Sequence, residues 1–280
     1  MKAASRTAMM RLPGRTVPTR SRARSSKDLL IRAATVVAAL LIWQLLSASG
    51  VRLWLSFDKL PTPLTVADVL IRQLGTALFY QDVAASLARI TLGFLLACAV
   101  GVPLGIMQGR SSTADRTLGT LVEIARPIPA IALVPIALLL FPTNEQGIVA
   151  ITFAAAVFPI VISARAAVRT LPLSWEEAVQ TMGGGRATVI LRVVLPGALP
   201  GIFAGFSVGL GVSWVCVISA EMISGQFGVG YRTWQAYTLV DYPSVVAGMV
   251  VIGALGMITT GLVAFAGRRL THWAEREVTS

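Results

Sequence analysis

Side chains able to do covalent or redox chemistry are scarce in this 280-residue chain and stand apart from one another. The single histidine, His272, lies near the carboxyl end, so no cluster exists to hold a metal or serve as a general base. The two cysteines, Cys98 and Cys216, each fall inside a long apolar run, with neither a metal spacing nor a disulfide framework, and read as small core residues. The three lysines, Lys2, Lys27 and Lys59, stand far from any Gly-x-x-x-x-Gly-Lys-Ser/Thr phosphate loop. An enzyme is therefore not expected, and no metal or cofactor is expected on this chain. What stands out is a polar, glycine-rich interruption of the apolar second half, Ser174 to Pro200, SWEEAVQTMGGGRATVILRVVLPGALP.

Within it, Ser174 followed three residues later by Glu177 reads as a capping box, which predicts a short helix from Trp175. Trp175, Ala178, Val179 and Met182 recur at helical spacing on one face, leaving Glu176, Glu177 and Gln180 largely on the other. Gly183, Gly184 and Gly185 should stop that helix, and a second run, Arg186 to Leu195, should end at Pro196. Glu177-Ala178-Val179, three residues, Gly183, nine residues, Val193, one residue and Leu195-Pro196 together resemble the EAA signature of the inner-membrane subunits of binding-protein-dependent ABC importers. Val179 and Val193 stand where alanine and isoleucine are usual. The resemblance implies a coupling helix seated on a separate ATP-hydrolysing subunit, with Glu176, Glu177, Ala178, Gly183, Leu195 and Pro196 carrying the contact.

Around this elbow, composition sets the class of the chain. The chain is 55% apolar and 13% charged, with a mean hydropathy of +0.74, as expected of a polytopic membrane protein. Six windows free of Asp, Glu, Lys and Arg, each about 18 to 24 residues, are long enough to cross a hydrocarbon core of about 30 Å as helices. They are Ala33–Val51, Ile90–Gly109, Pro127–Asn144, Gln146–Ala164, Gly201–Ala220 and Ser244–Gly267. None alternates as a barrel strand would. An all-α protein with six transmembrane helices is predicted, similar to the type I importer permeases, with a membrane domain over residues 28–270 and a tail over 271–280. With a cytoplasmic amino terminus, nineteen basic residues lie inside and five outside, as the positive-inside rule requires. This places both termini and the elbow in the cytoplasm, and it explains the net charge of +11 by topology rather than by nucleic acid.

Residues 1–27 are rich in Arg, Ser and Ala and lack the apolar core of a secretory signal, so they read as a flexible cytoplasmic arm, with contact to anionic lipid as a second role. In the external segment 52–82, Pro61 and Pro63 precede a helix expected to be capped by Thr65. The second window carries Gly93, Ala97, Gly101, Gly105 and Gly109 at four-residue spacing, a surface that admits a close neighbour, and Pro103 should kink it. A second ladder, Gly197, Gly201, Gly205 and Gly209, is read as marking a pathway-lining helix at a dimer seam, with packing inside one subunit as the alternative. Ser207, Ser213, Trp214 and Ser219 beside it are the candidate path donors. Glu221 falls at the outer end of that span, where solvation is easy, and a buried acid is not expected there.

The resemblance extends to SLARITLGFLLACAVGVPLGIMQGR from Ser86 and RPIPAIALVPIALLLF from Arg126. It departs at Phe141-Pro142-Thr143-Asn144-Glu145, where related chains often run Trp-Phe-Gly-Ile-Gly. The stretch AEMISGQFGVGYRTWQAYTLVDYPSVVAGM is similar to permeases for nitrate, sulfonates and taurine. The resemblance implies a permease pair forming an alternating-access path, an external solute-binding protein that delivers the cargo, and ATP and Mg on partner ATP-binding cassette subunits. A small oxyanion is the implied cargo, with a neutral heterocycle as the alternative. A secondary transporter or channel would need ionisable groups in its spans, and the six windows contain none.

Overall fold

The computed structural model describes residues 26–49, 60–224 and 226–273. Most of the basic arm and the last seven residues of the tail lie outside the described residues. All regular structure within them is helical. In chain order the α-helices are α1 (Ser26–Ala48), α2 (Pro63–Leu74), α3 (Ala77–Arg110), α4 (Ser112–Ala114), α5 (Thr120–Ala125), α6 (Val134–Leu140), α7 (Asn144–Arg169), α8 (Leu173–Thr181), α9 (Arg186–Val189), α10 (Leu195–Ser224), α11 (Val229–Thr238) and α12 (Tyr242–Leu270). Five helical stretches are long and apolar enough to cross a membrane, and a bent pair makes a sixth.

That bent pair corrects the third window. Pro127–Asn144 is not one straight helix: Ser112–Ala125 and Ala130–Leu140 meet at 77° across a break. The cause is Pro127 and Pro129, whose rings fix φ and remove two N–H donors within three residues. A 3-10 turn, Ala130–Leu133, restarts the chain into α6. Helix α3, by contrast, continues through Pro103 as one element.

The core is α7 held between α3 and α10, and glycine makes both contacts possible. A Cβ on Gly93 would stand 2.5 Å from that of Thr152, one on Gly101 2.8 Å from Ile160, one on Gly105 2.5 Å from that of Ala164, and one on Gly109 2.6 Å from Val168. On the other side, a Cβ on Gly201 would stand 2.5 Å from that of Ala167 and one on Gly205 2.5 Å from that of Ser163, while Gly209 packs on the backbone of Ala156 and Gly197 on Leu171. In lipid, where apolar burial drives little association, such backbone approach supplies much of the attraction between helices. The Gly197–Gly209 ladder thus packs inside one subunit. The expectation of a dimer seam on that face is corrected, because α7 already occupies it.

Helix α12 packs on α10, α11 and α2. Helix α2 is capped by Thr62, whose Oγ1 accepts from the Thr65 N–H at 3.3 Å, so the cap lies three residues before the one expected; Pro63 takes the first helical position, where its missing N–H costs nothing. Helix α1 is exposed along most of its length and is tied to the entry of α2 by a 3.1 Å hydrogen bond from the Trp43 indole N–H to the Pro61 carbonyl.

Candidate functional site

The elbow between α7 and α10 begins at Pro172, not at a capping serine. Pro172 has φ −62° and ψ 129°, an extended backbone that feeds α8 without any side-chain cap, and Ser174 lies inside the helix. The capping box expected from Ser174 and Glu177 is therefore absent: helix entry is set two residues earlier, by the extended backbone of Pro172. The glycine stop is present as read. The Gly184 N–H donates to the Val179 carbonyl and the Gly183 N–H to the Gln180 carbonyl, both at 2.9 Å, which together form a Schellman closure. Gly183 holds φ 84°, a left-handed conformation that side chains disfavour.

The second run does not end at Pro196. Arg186 to Ser224 is one continuous helical path, with a π turn at Ile190–Val194 leading into α10. The wider turn comes just ahead of Pro196, which has no N–H to return along the helix. Glu176 and Glu177 also part company. Glu176 turns inward to an ion pair with Arg110 at the end of α3, while Glu177 is exposed. Ala178 is exposed, Leu195 opens α10, and Pro196 joins Trp175, Arg192 and Trp273 around a cavity of about 290 Å³. Beside the elbow, Asp115 binds Arg165 at 2.7 Å and Arg169 at 2.5 Å, fixing the end of α7 to the segment after α3. Helix α8 buries none of its residues, and Leu173, Trp175 and Met182 are 64%, 42% and 79% exposed around it.

The path donors scatter. Ser213 is fully buried and donates to the Thr152 carbonyl at 3.3 Å, and the Trp214 indole donates to the Thr259 hydroxyl at 2.9 Å. Ser207 and Ser219 return their hydroxyls to the carbonyls of Phe203 and Val215 on their own helix. The four do not converge on one cavity.

A buried polar network at the opposite end from the elbow was not anticipated. Glu221 is fully buried, which corrects the expectation of an easily solvated acid. It accepts from the Ser86 hydroxyl at 2.7 Å, from the Arg89 guanidinium at 2.8 Å and from the Gly230 N–H at 2.9 Å. Arg89 also grips Glu145 with a second pair of N–H groups and donates to the Phe227 carbonyl. Asp82 accepts from the Gly228 N–H at 3.1 Å and from Arg232 at 2.9 Å, and the Val229 N–H donates to Ser86 at 3.0 Å. Carboxylates and a hydroxyl from α3 and α10 thereby satisfy the first free N–H groups of α11. The helices thus do contain ionisable groups, which the uncharged windows excluded. Part of the signal was available: Arg89, Glu145 and Glu221 each abut the end of an apolar window, one basic and two acidic.

A bundle of membrane-length helices with one protruding elbow defines a class, the polytopic helical membrane protein. The family follows from comparison. Residues 101–272 match the family described as "Binding-protein-dependent transport system inner membrane component", and the chain belongs to it. The bicarbonate transport system permease protein CmpB of Synechococcus elongatus is 32% identical over 86% of this chain and 88% of its own length. The nitrate import permease protein NrtB of Leptolyngbya laminosa is 31% identical over 73% of this chain and 74% of its own. The taurine transport system permease protein TauC of Escherichia coli K12 is 32% identical over 89% and 91%. Among solved structures, a bacterial alginate ABC transporter in complex with a pentasaccharide-bound periplasmic protein superposes with a TM-score of 0.60 over 88% of this chain and 96% of that one, at 15% identity, a likeness of fold. The chain is a multi-pass inner-membrane permease subunit with the type I importer fold.

Proposed function

We propose that two copies of this chain form the path of an ATP-driven importer for a small oxyanion, delivered by an external binding protein, and that α8 seats on a separate ATP-binding cassette subunit that binds ATP and Mg. The observation that carries the reading is α8 itself. It stands off the bundle with exposed Leu173, Trp175 and Met182, yet it is fixed at both ends by the Arg110–Glu176 ion pair and the Gly183 closure. A helix with no fully buried residue, held at Glu176 and at its glycine stop, suits a contact made with another polypeptide. Both termini would then be cytoplasmic, on the side of the elbow. The oxyanion reading is supported by relatives whose names specify bicarbonate, nitrate and taurine.

The test of coupling uses Gly183→Val and Glu177→Lys in the assembled complex. A valine forced to φ 84° is strained by about 1–2 kcal/mol and loosens the closure, and the lysine reverses charge on the exposed face. Binding-protein-stimulated ATP hydrolysis and uptake should both fall about tenfold with insertion intact; normal coupled hydrolysis in both variants refutes the assignment. For the cargo, growth on taurine as sulfur source or on nitrate as nitrogen source should fail on deletion of the gene. Unchanged growth on both, with loss of uptake of a neutral heterocycle, refutes the oxyanion.

A further inference from the structure

The broken third span lines a cavity. Between Ala125 and Ala130 the chain leaves helical geometry, and Arg126, Pro129 and Ala130 form one wall of a cavity of about 410 Å³. The facing wall comes from α7, from Ala154 to Ser163, and from Val208 and Val212 of α10. Those α7 positions span about 13 Å of helix, from near its middle toward its elbow end. Irregular backbone at membrane depth is tolerated where it borders protein or a wetted cavity, and broken helices commonly mark the point where a transporter handles its solute.

The chemistry of this cavity is lopsided. Arg126 supplies its one charged side chain, no Asp or Glu lines it, and among the described residues Arg126 has no carboxylate partner. Pro127 and Pro129 bring no N–H to the break, so the guanidinium is the dominant donor there. An arginine with no carboxylate beside it, on a wall that is otherwise mostly apolar, offers its charge to a mobile group of opposite sign. An exposed guanidinium can meet a planar or tetrahedral oxyanion with two parallel N–H groups while water screens the attraction. Such a contact draws an anion in without trapping it, which release to the far side requires. The uncharged windows left only weak donors for this role; Arg126, one of the nineteen basic residues counted on the inner side, adds a cation at the cavity wall.

We infer that this cavity is a station of the translocation path and that Arg126 is its anion-attracting residue. The inference rests on the oxyanion reading above. The test is made on the whole complex in a background with Cys98→Ala and Cys216→Ala, with Val208→Cys on the cavity wall, or Val212→Cys should the first fail to assemble. Rates of modification by the anionic sulfonatoethyl and the cationic trimethylammonioethyl methanethiosulfonates are compared. The anionic reagent should be favoured, Arg126→Gln should lower the anion-to-cation ratio about tenfold, and Arg126→Lys should keep most of it. Taurine, nitrate or bicarbonate should slow the anionic reaction. A ratio unmoved by Arg126→Gln, or a cysteine that neither reagent reaches, overturns the inference. In parallel, uptake separates the two readings. A complex that imports taurine, nitrate or bicarbonate at an unchanged rate with Arg126→Gln keeps its cargo and loses this site; one that imports only solutes lacking an oxyanion group loses the oxyanion reading itself.

Discussion

Arg89 holds three elements together with one side chain. It is buried to 2% exposure, and its guanidinium serves Glu221 of α10, Glu145 of α7 and the Phe227 carbonyl ahead of α11. Breaking such a buried pair from one side strands the other charge, which costs about 3–5 kcal/mol, more than the pair contributes when intact. Arg89→Met should therefore lower the thermal midpoint of the detergent-purified chain substantially, while Arg89→Met combined with Glu221→Leu should recover part of the loss. Equal midpoints for the single and double variants would mean that the charges are not coupled. Glu221 was misread because depth along one span says nothing of what other helices bring to it. Its partners Ser86 and Arg89 lie more than a hundred residues away, and only the crossing of α3 and α10 makes them neighbours. Glu145 belongs to the segment where the chain departs from related sequences, and it supplies one of the arginine's two carboxylate partners.

At the scale of elements, α7 is clamped on two sides by small residues, and glycines elsewhere make a clean contrast. Gly105→Leu or Gly201→Leu would drive side-chain atoms into Ala164 or Ala167, where a Cβ alone already stands at 2.5 Å; overpacking of this kind costs about 1–3 kcal/mol or more. Gly211 and Gly253 have open space where a Cβ would go. Folded yield and thermal midpoint should drop for the first pair and stay near the parent for Gly211→Ala and Gly253→Ala. The four-residue spacing of these glycines was legible in sequence, and so was the Gly183 stop. Their partner was not, since spacing shows a flat face without saying what lies on it. The break in the third span was hidden for a different reason: a hydropathy window averages over Pro127 and Pro129 and reports apolarity where the backbone turns.

Across the whole molecule, charge gathers in two belts. Arg89 and Arg110 bracket about 21 residues of α3, some 31 Å of helix, close to the thickness of a hydrocarbon core. One belt joins Asp82, Arg89, Glu145, Glu221 and Arg232; the other joins Arg110, Asp115, Arg165, Arg169 and Glu176. The excess of basic residues on the elbow side predicts the cytoplasm there. In intact cells, an impermeant maleimide should label Thr62→Cys and leave Ser174→Cys untouched until the membrane is opened. Labelling in the reverse order would invert the topology.

The helical path from Arg186 to Ser224 has a mechanical consequence. At 39 residues it is a rod of about 58 Å, with its near end at the elbow and Glu221 close to its far end. On the proposed coupling, a torque applied at α8 would reach the Arg89 clasp along one helical backbone, and α7, packed against that helix, would move with it. Spin labels at Leu191→Cys and Ile223→Cys, exposed positions near the two ends, should keep one separation through the ATP cycle, as the ends of a stiff crank do. A separation that changes on ATP binding would show that the rod bends, and Pro200, which lies between the two labels, would be its hinge.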